Sequence, residues 1–298
     1  MKIYGGIEAG GTKIICCIGN DKGEVLESCR IDTETPSVTM PKIISLLKKY
    51  PKISSIGIGA FGPVDLNPKS DTYGYITHTP KINWKNYNFL GEMKNHFDIP
   101  MGFDTDVNVA ALGEYTWGAA QDISDFLYIT VGTGVGVGHI VNHQFAHGLI
   151  HPEMGHIIVN KSSNDLPEFN GICPYHSNCL EGMAAGPAIN ARWKVDHCGV
   201  LPPEHKAWGI EADYLAQALV NYILICSPKK IIMGGGVMNQ KQLFHLIRKK
   251  VQTLLNGYVH HSSILDQIDD YIIPPGLGDQ AGMKGAIALA IQYKELAS

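Results

Sequence analysis

The sequence predicts an α/β protein in which one unit is used twice. Two echoes and a shared helical pattern carry this. An apolar run over residues 3–8 meets Gly10 and Gly11 and is followed by a second run over 14–18; residues 126–131, the glycine turn 132–136 and residues 137–141 repeat that order. Residues 56–58 run into glycines at 59 and 62, and residues 230–233 run into Gly234, Gly235 and Gly236 at the matching place. In both halves, apolar residues at helical spacing follow. A duplication of this size predicts two similar lobes with a cleft between them. The expected lobes are 1–118 and 119–280, with a closing helix over 281–298 folding back onto the first.

The elements justify this in order. Residues 2–8, 14–18 and 25–31 alternate with turn residues and read as a three-strand meander. Residues 41–50 carry apolar side chains at 43, 44, 46 and 47, which predicts a helix started by Pro41. A buried strand over 53–58 follows, then a polar excursion over 71–80, a helix near 86–97 and a strand over 100–103. The next helix spans 106–117, and Asp106 stands where strand gives way to helix, a natural N-cap. In the second half, helices are expected over 182–193, 211–227, 240–255 and 281–296, with strands over 230–233 and 271–273.

Composition narrows the function. Of 298 residues, 45% are hydrophobic and 17% charged, so a large core is expected and global disorder is excluded. A net charge of −4 leaves no general basic footprint, so neither nucleic acid nor a membrane surface is an expected partner. The first strand opens at residue 3, with no basic region and long apolar run before it. The expectation is therefore no signal peptide, no N-terminal DNA-binding helix pair, and a cytoplasmic, reducing location. Cys16, Cys17 and Cys226 sit in apolar runs, as reduced core thiols do.

Chemistry concentrates in four places. Cys173, His176 and Cys179 recur every third residue among Gly, Pro, Ser and Asn, which suits a tight metal loop. His156 is the candidate fourth ligand; a Cys173–Cys179 disulfide and an ordinary surface loop are the competing readings. Two glycine turns, one per half, can offer successive N–H groups to phosphate, although either alone could be only a hairpin. No Gly-x4-Gly-Lys-Ser/Thr sequence is present, and Gly134-Val-Gly136 precedes a strand, so neither a Walker site nor a dinucleotide fingerprint is supported. Asp106 is a base candidate as well as a cap. Glu153, His156 and Glu181 flank the metal loop and would suit a polyhydroxylated ligand.

Taken together, Glu8-Ala-Gly-Gly-Thr-Lys13, Gly57-Ile-Gly-Ala-Phe-Gly-Pro-Val-Asp65, Thr105-Asp-Val-Asn-Val-Ala-Ala-Leu-Gly-Glu114, Thr130-Val-Gly-Thr-Gly-Val-Gly136, Glu153-Met-Gly-His156 and Gly234-Gly-Gly-Val237 resemble the ROK family of repressors and sugar kinases. Within it, the resemblance is to zinc-containing bacterial fructokinases. It implies an actin-like, duplicated ribonuclease-H-like fold and a kinase that phosphorylates D-fructose with Mg-ATP in the cleft. It implies Asp106 as general base. Gly62, Pro63, Thr105, Glu153, His156 and Glu181 would contact the sugar. Gly10, Gly11, Thr12, Lys13, Thr133, Gly134, Pro187, Gly234, Gly235, Gly236, Val237 and Met238 would bind ATP. His156, Cys173, His176 and Cys179 would hold a structural zinc in the loop 156–181. A homodimer is also implied. Three departures from the general family pattern stand out: Glu8 where Asp is usual, His176 in place of a third cysteine, and Thr105 where Asn is usual. The last disfavours glucose and leaves glucokinase or mannokinase as the alternative, with a sugar-responsive regulator behind it.

Overall fold

The computed structural model describes residues 2–296. Antiparallel strands β1 (Ile3–Ala9), β2 (Lys13–Asn20) and β3 (Val25–Asp32) form the meander. Helix α1 (Pro36–Lys48) then starts earlier than expected. Pro36, not Pro41, opens it, and Pro41 lies inside. The bond Pro41 cannot donate would have gone to Ser37, which is exposed, so water can satisfy that carbonyl. Strand β4 (Ile53–Ala60) is buried on both faces beside β1, as a central parallel strand should be. The polar excursion makes a small hairpin of β5 (Tyr75–Ile76) and β6 (Tyr87–Asn88). Asn88 caps α2 (Phe89–His96) through Gly91 N. Strand β7 (Met101–Thr105) pairs parallel with β4, and α3 (Asp106–Trp117) follows without a loop.

The second half repeats the plan with β8 (Phe126–Val131), β9 (Val135–Val141) and β10 (Gln144–Phe145). The expected helix over 182–193 is two: α4 (Leu180–Ala184) and α5 (Gly186–Trp193). Ala185 is extended between them, and Pro187, in the first turn of α5, has no N–H to donate back to Met183 O of α4. Helix α6 (Ala207–Cys226), strand β11 (Lys230–Gly234), helices α7 (Gln242–Leu255), α8 (Ser262–Leu265) and α9 (Ile268–Tyr271), and strand β12 (Ile272–Ile273) complete it. Tyr271, expected in the strand, ends α9. Helix α10 (Ala281–Leu296) closes the described chain.

The first sheet has the order β3-β2-β1-β4-β7 and the second β10-β9-β8-β11-β12, the same topology position by position. The duplication read from the glycine turns is therefore real, and the fold is the duplicated α/β class expected. Two units separate by their contacts. One comprises the chain up to Asp122, Gly138–Pro152 and the segment from Gly276 onward; the other is Ile123–Val137 with Glu153–Pro275. Segment 138–152, read from sequence as part of the second lobe, clusters with the first. A β-carbon on Gly138 would stand 2.3 Å from Val107 O of α3, His139 N donates to Asn108 Oδ1, and His147 pairs with Asp104. Segment 276–280 is likewise tied to α3, because the buried Glu114 carboxylate accepts from Gly276 N and Leu277 N. Helix α10 packs on α3, β4 and β1 within the first unit. No helix among the described residues is long and apolar enough to cross a membrane.

Candidate active site and metal centre

In the first unit, the β1–β2 turn carries Gly10, Gly11, Thr12 and Lys13. Gly10 N donates to Lys13 O, and Thr33 braces the turn through its hydroxyl to Gly10 O and its amide to Thr12 O. Thr12 and Lys13 are exposed. Glu8, next to last in β1, lies against α10, where a β-carbon on Gly282 would meet its carboxyl. Burial, and then the nearby Asp106 charge, push Glu8 up to about 7.

Asp106 is the first residue of α3, and the expected cap role belongs to its neighbour. Thr105 Oγ1 accepts from Asn108 N at 3.2 Å. Asp106 Oδ1 accepts from Val107 N at 2.9 Å, and its own backbone N–H also favours the charged carboxylate. Enclosure by protein pushes its carboxyl up to about 6 against those amides' opposing pull. The buried Thr105 keeps its hydroxyl proton for a ligand while its lone pair caps the helix.

Sequence reasoning missed a polar cluster beside this carboxylate. Buried Asp104 accepts from Asn108 Nδ2 at 2.7 Å and from Thr105 N, and His147 Nε2 lies 3.0 Å from its other oxygen. That hydrogen bond raises His147. Buried His151 accepts from Val64 N at 3.1 Å, just past Gly62 and Pro63, and burial lowers it, so it is neutral with Nε2 unprotonated. The signal was available: His139, His143, His147 and His151 fall at four-residue intervals.

In the second unit, the β8–β9 turn brings Thr133 and Gly134 against Glu181. Val135 N donates to Glu181 Oε2 at 3.0 Å. Gly186 N donates to Gly132 O at 2.8 Å, which seats Pro187 beside the turn. A β-carbon on Gly132 would find Gly236 N as its nearest neighbour, at 3.9 Å. Glycines from three segments thus meet past the ends of β8 and β11, the usual ligand side of parallel strands. Gly235 takes φ +92°, where any side chain would strike Val131. Val237 and Met238 differ from expectation. Both residues are buried in the unit's core, as the turn after β11 rolls them inward.

The metal residues come together. His156 Nδ1 lies 3.8 Å from Cys173 Sγ and 3.5 Å from Cys179 Sγ, and Cys173 Sγ lies 3.9 Å from His176 Nδ1. All four ligand atoms fall within 4.8 Å of one another. Metal–sulfur and metal–nitrogen bonds of about 2.3 and 2.0–2.1 Å give tetrahedral edges of about 3.5 Å between S and N, so the set can hold one ion. A bridge between Ile158 and Cys179, and Leu180 N to Ile157 O, bring His156 to the loop. Cys179 Sγ also accepts from Gly182 N, capping α4. The short turn Met154–His156 needs Gly155, whose β-carbon would stand 1.8 Å from Val135 O, and Tyr222 OH holds Met154 O at 2.6 Å. His156 Nε2 is left facing Glu181 Oε1 at 3.8 Å, while Glu153 is exposed.

Two copies of one mixed sheet, each with a glycine turn between its first two strands, define the actin-like class of fold. The chain belongs to the ROK family, whose model matches residues 4–293. It is 45% identical to the fructokinase of Pediococcus pentosaceus over 289 residues, covering 97% of each chain. It is 41% identical to the fructokinase of Zymomonas mobilis over 296 residues, again covering 97% of each. Its fold is similar to that of a ROK family glucokinase from Streptomyces griseus solved with glucose and AMPPNP, at a TM-score of 0.75 and 25% identity, over 97% of this chain and 99% of that one.

Proposed function

We propose that this protein transfers the γ-phosphoryl group of ATP to the 6-hydroxyl of D-fructose. The observation that carries it is identity above 40% with fructokinases along nearly the whole chain, against 25% with the glucokinase. Asp106 takes the hydroxyl proton, the freed oxygen attacks the γ-phosphorus, and ADP leaves. Because Thr105 caps α3, the Asp106 carboxylate is not spent on the helix cap and can take a proton from a bound hydroxyl. Phosphoryl transfer asks the protein mainly for positioning and charge stabilisation. Gly10, Gly11, Thr12, Lys13, Thr133 and Gly134 supply phosphate-binding turns for Mg-ATP. Pro187 and the backbone of Gly234, Gly235, Gly236, Val237 and Met238 lie on the adenine side.

Gly62, Pro63, Thr105, Glu153, His156 and Glu181 are the sugar contacts of this reading. Zinc in the His156, Cys173, His176 and Cys179 set is structural, since two thiolates and two imidazoles suit it and leave no open position. Its chemistry is to fix the loop; His156 offers its second nitrogen to the sugar. A homodimer in the cytoplasm completes the reading, and sedimentation of the purified protein tests the dimer. A coupled ADP-release assay with fructose, glucose, mannose and N-acetylated hexoses tests the function. Fructose is expected to give the highest kcat/KM, and a preference for glucose or mannose would replace the assignment with the alternative.

A further inference from the structure

Lys81 is a cation that neither the repeated motifs nor the metal loop accounts for. It follows the polar excursion, and its Cε stands 3.1 Å from where a β-carbon on Gly11 would be. Its side chain therefore lies directly over the β1–β2 glycine turn. The backbone on both sides is anchored. Lys81 N donates to the hydroxyl of buried Thr79 at 3.3 Å, and Lys81 O accepts from the amide of buried Trp84 at 2.8 Å. Trp84 is in turn fixed by its indole N–H to Glu34 O at 2.6 Å and by edge contacts with Phe61 and Tyr87.

The backbone under Lys81 is thus fixed, and among the described residues no carboxylate pairs with its ammonium. Glu34, the nearest acid in chain order on the facing segment, is taken by Lys42 at 2.8 Å. Lys81 and Thr33, which braces the glycine turn, both line an open groove of about 310 Å³ that also includes Trp84, Asn83 and Glu34, the last with its carboxylate on Lys42. A lysine whose stem passes over a glycine turn, with no carboxylate paired to it, can offer its ammonium to anionic oxygen brought to that turn.

We infer that Lys81 contacts the terminal phosphates of bound ATP from the first unit and stabilises the charge that develops as the phosphoryl group leaves. This rests on the nucleotide reading above and adds to it a cation whose loss acts on the triphosphate and not on the sugar. A point charge on transferring phosphate is worth far more at the transition state than in the ground state, so kcat should respond more than KM.

Lys81→Met and Lys81→Arg are compared with the wild type by steady-state kinetics, thermal melting and calorimetric binding of a non-hydrolysable ATP analogue. Lys81→Met is expected to lower kcat by about 100- to 1,000-fold, the range for removing one donor aimed at developing charge. The KM for fructose should stay within about twofold and the melting point should hold. Lys81→Arg should recover most of the loss. Should Lys81→Met melt early, Lys81→Gln and Lys81→Arg, assayed at low temperature, decide the matter. Recovery by Arg alone supports the inference, and equal behaviour of the two overturns it. Wild-type turnover with an unimpaired, folded Lys81→Met enzyme also overturns it. Absence of hexose-dependent ADP release in the wild type would instead be failure of the parent reading.

Discussion

On the proposed reading, Asp106 would combine an activity and a cost in one side chain. Its carboxyl sits at about 6 because enclosure disfavours the charge, and Glu8 beside it sits at about 7. A base must be ionised to take a proton, so kcat/KM for fructose should fall about tenfold per pH unit below pH ~6 and level off above it. Asp106→Asn should lose about 10²- to 10⁴-fold in turnover with sugar affinity retained; undiminished turnover would remove the base assignment. The same raised pKa has a stability sign. Its contribution is fully present below the unfolded value near 4 and is lost as pH rises through about 6. Asp106→Asn should therefore melt higher than the wild type at pH 8, by on the order of 1 kcal/mol after solvent screening, and show no gain near pH 4. Equal melting differences at the two pH values would show that the raised pKa carries no stability cost. The residue was legible in the sequence because a carboxylate at a strand-to-helix junction is distinctive. That it is not the cap was illegible, because Thr105 and Asp106 are both good caps and only backbone geometry chooses between them.

At the scale of elements, α10 is held by backbone contact more than by side-chain bulk. A β-carbon on Gly285 would stand 1.7 Å from Val109 O of α3, and one on Gly57 would stand 2.0 Å from Ala286 O. Helix and strand approach so closely that only hydrogen fits at these positions. Gly285→Ala should therefore cost about 1–3 kcal/mol through forced separation, despite alanine's better helix propensity. Gly209 of α6 is the internal control, since a β-carbon there meets nothing within 4 Å. Gly209→Ala should be neutral or stabilising by up to about 1 kcal/mol. Denaturant midpoints of both variants check the pair; a Gly285→Ala protein as stable as Gly209→Ala would refute the close-packing account. The strands and the closing helix could be read in advance because their periodicity is local. The start of α1 and the break before α5 could not, since each turns on which of several prolines the surroundings accommodate. Nor could the return of residues 138–152 to the first unit, which rests on Gly138, the Asp104–His147 pair and the hydrogen bonds of His139 with Asn108 and of His151 with Val64.

For the molecule as a whole, the metal loop links parts of the second unit that the sequence shows as separate motifs. Through Nδ1, His156 belongs to the Cys173, His176 and Cys179 set, and through Nε2 it faces Glu181. Glu181 is also bonded to Val135 N of the glycine turn. On the proposed reading, its Oε2 oxygen would tie the sugar side of the site to the phosphate-binding turn independently of a metal. Removing the ion should then act selectively. His156 loses its anchor, whereas Glu181 and the turn keep theirs. Chelation under excess Mg, with metal loss verified by elemental analysis, should raise the KM for fructose by about 10-fold, the lower end for loosening a ligand's supporting shell. The KM for ATP should change far less. The melting point should fall, because the ion joins residue 156 to residues 173–179 only in the folded state. Restoring zinc should reverse both effects, and magnesium alone should reverse neither. A metal-free protein that binds fructose as tightly as before would confine the ion to the loop and separate it from the sugar site.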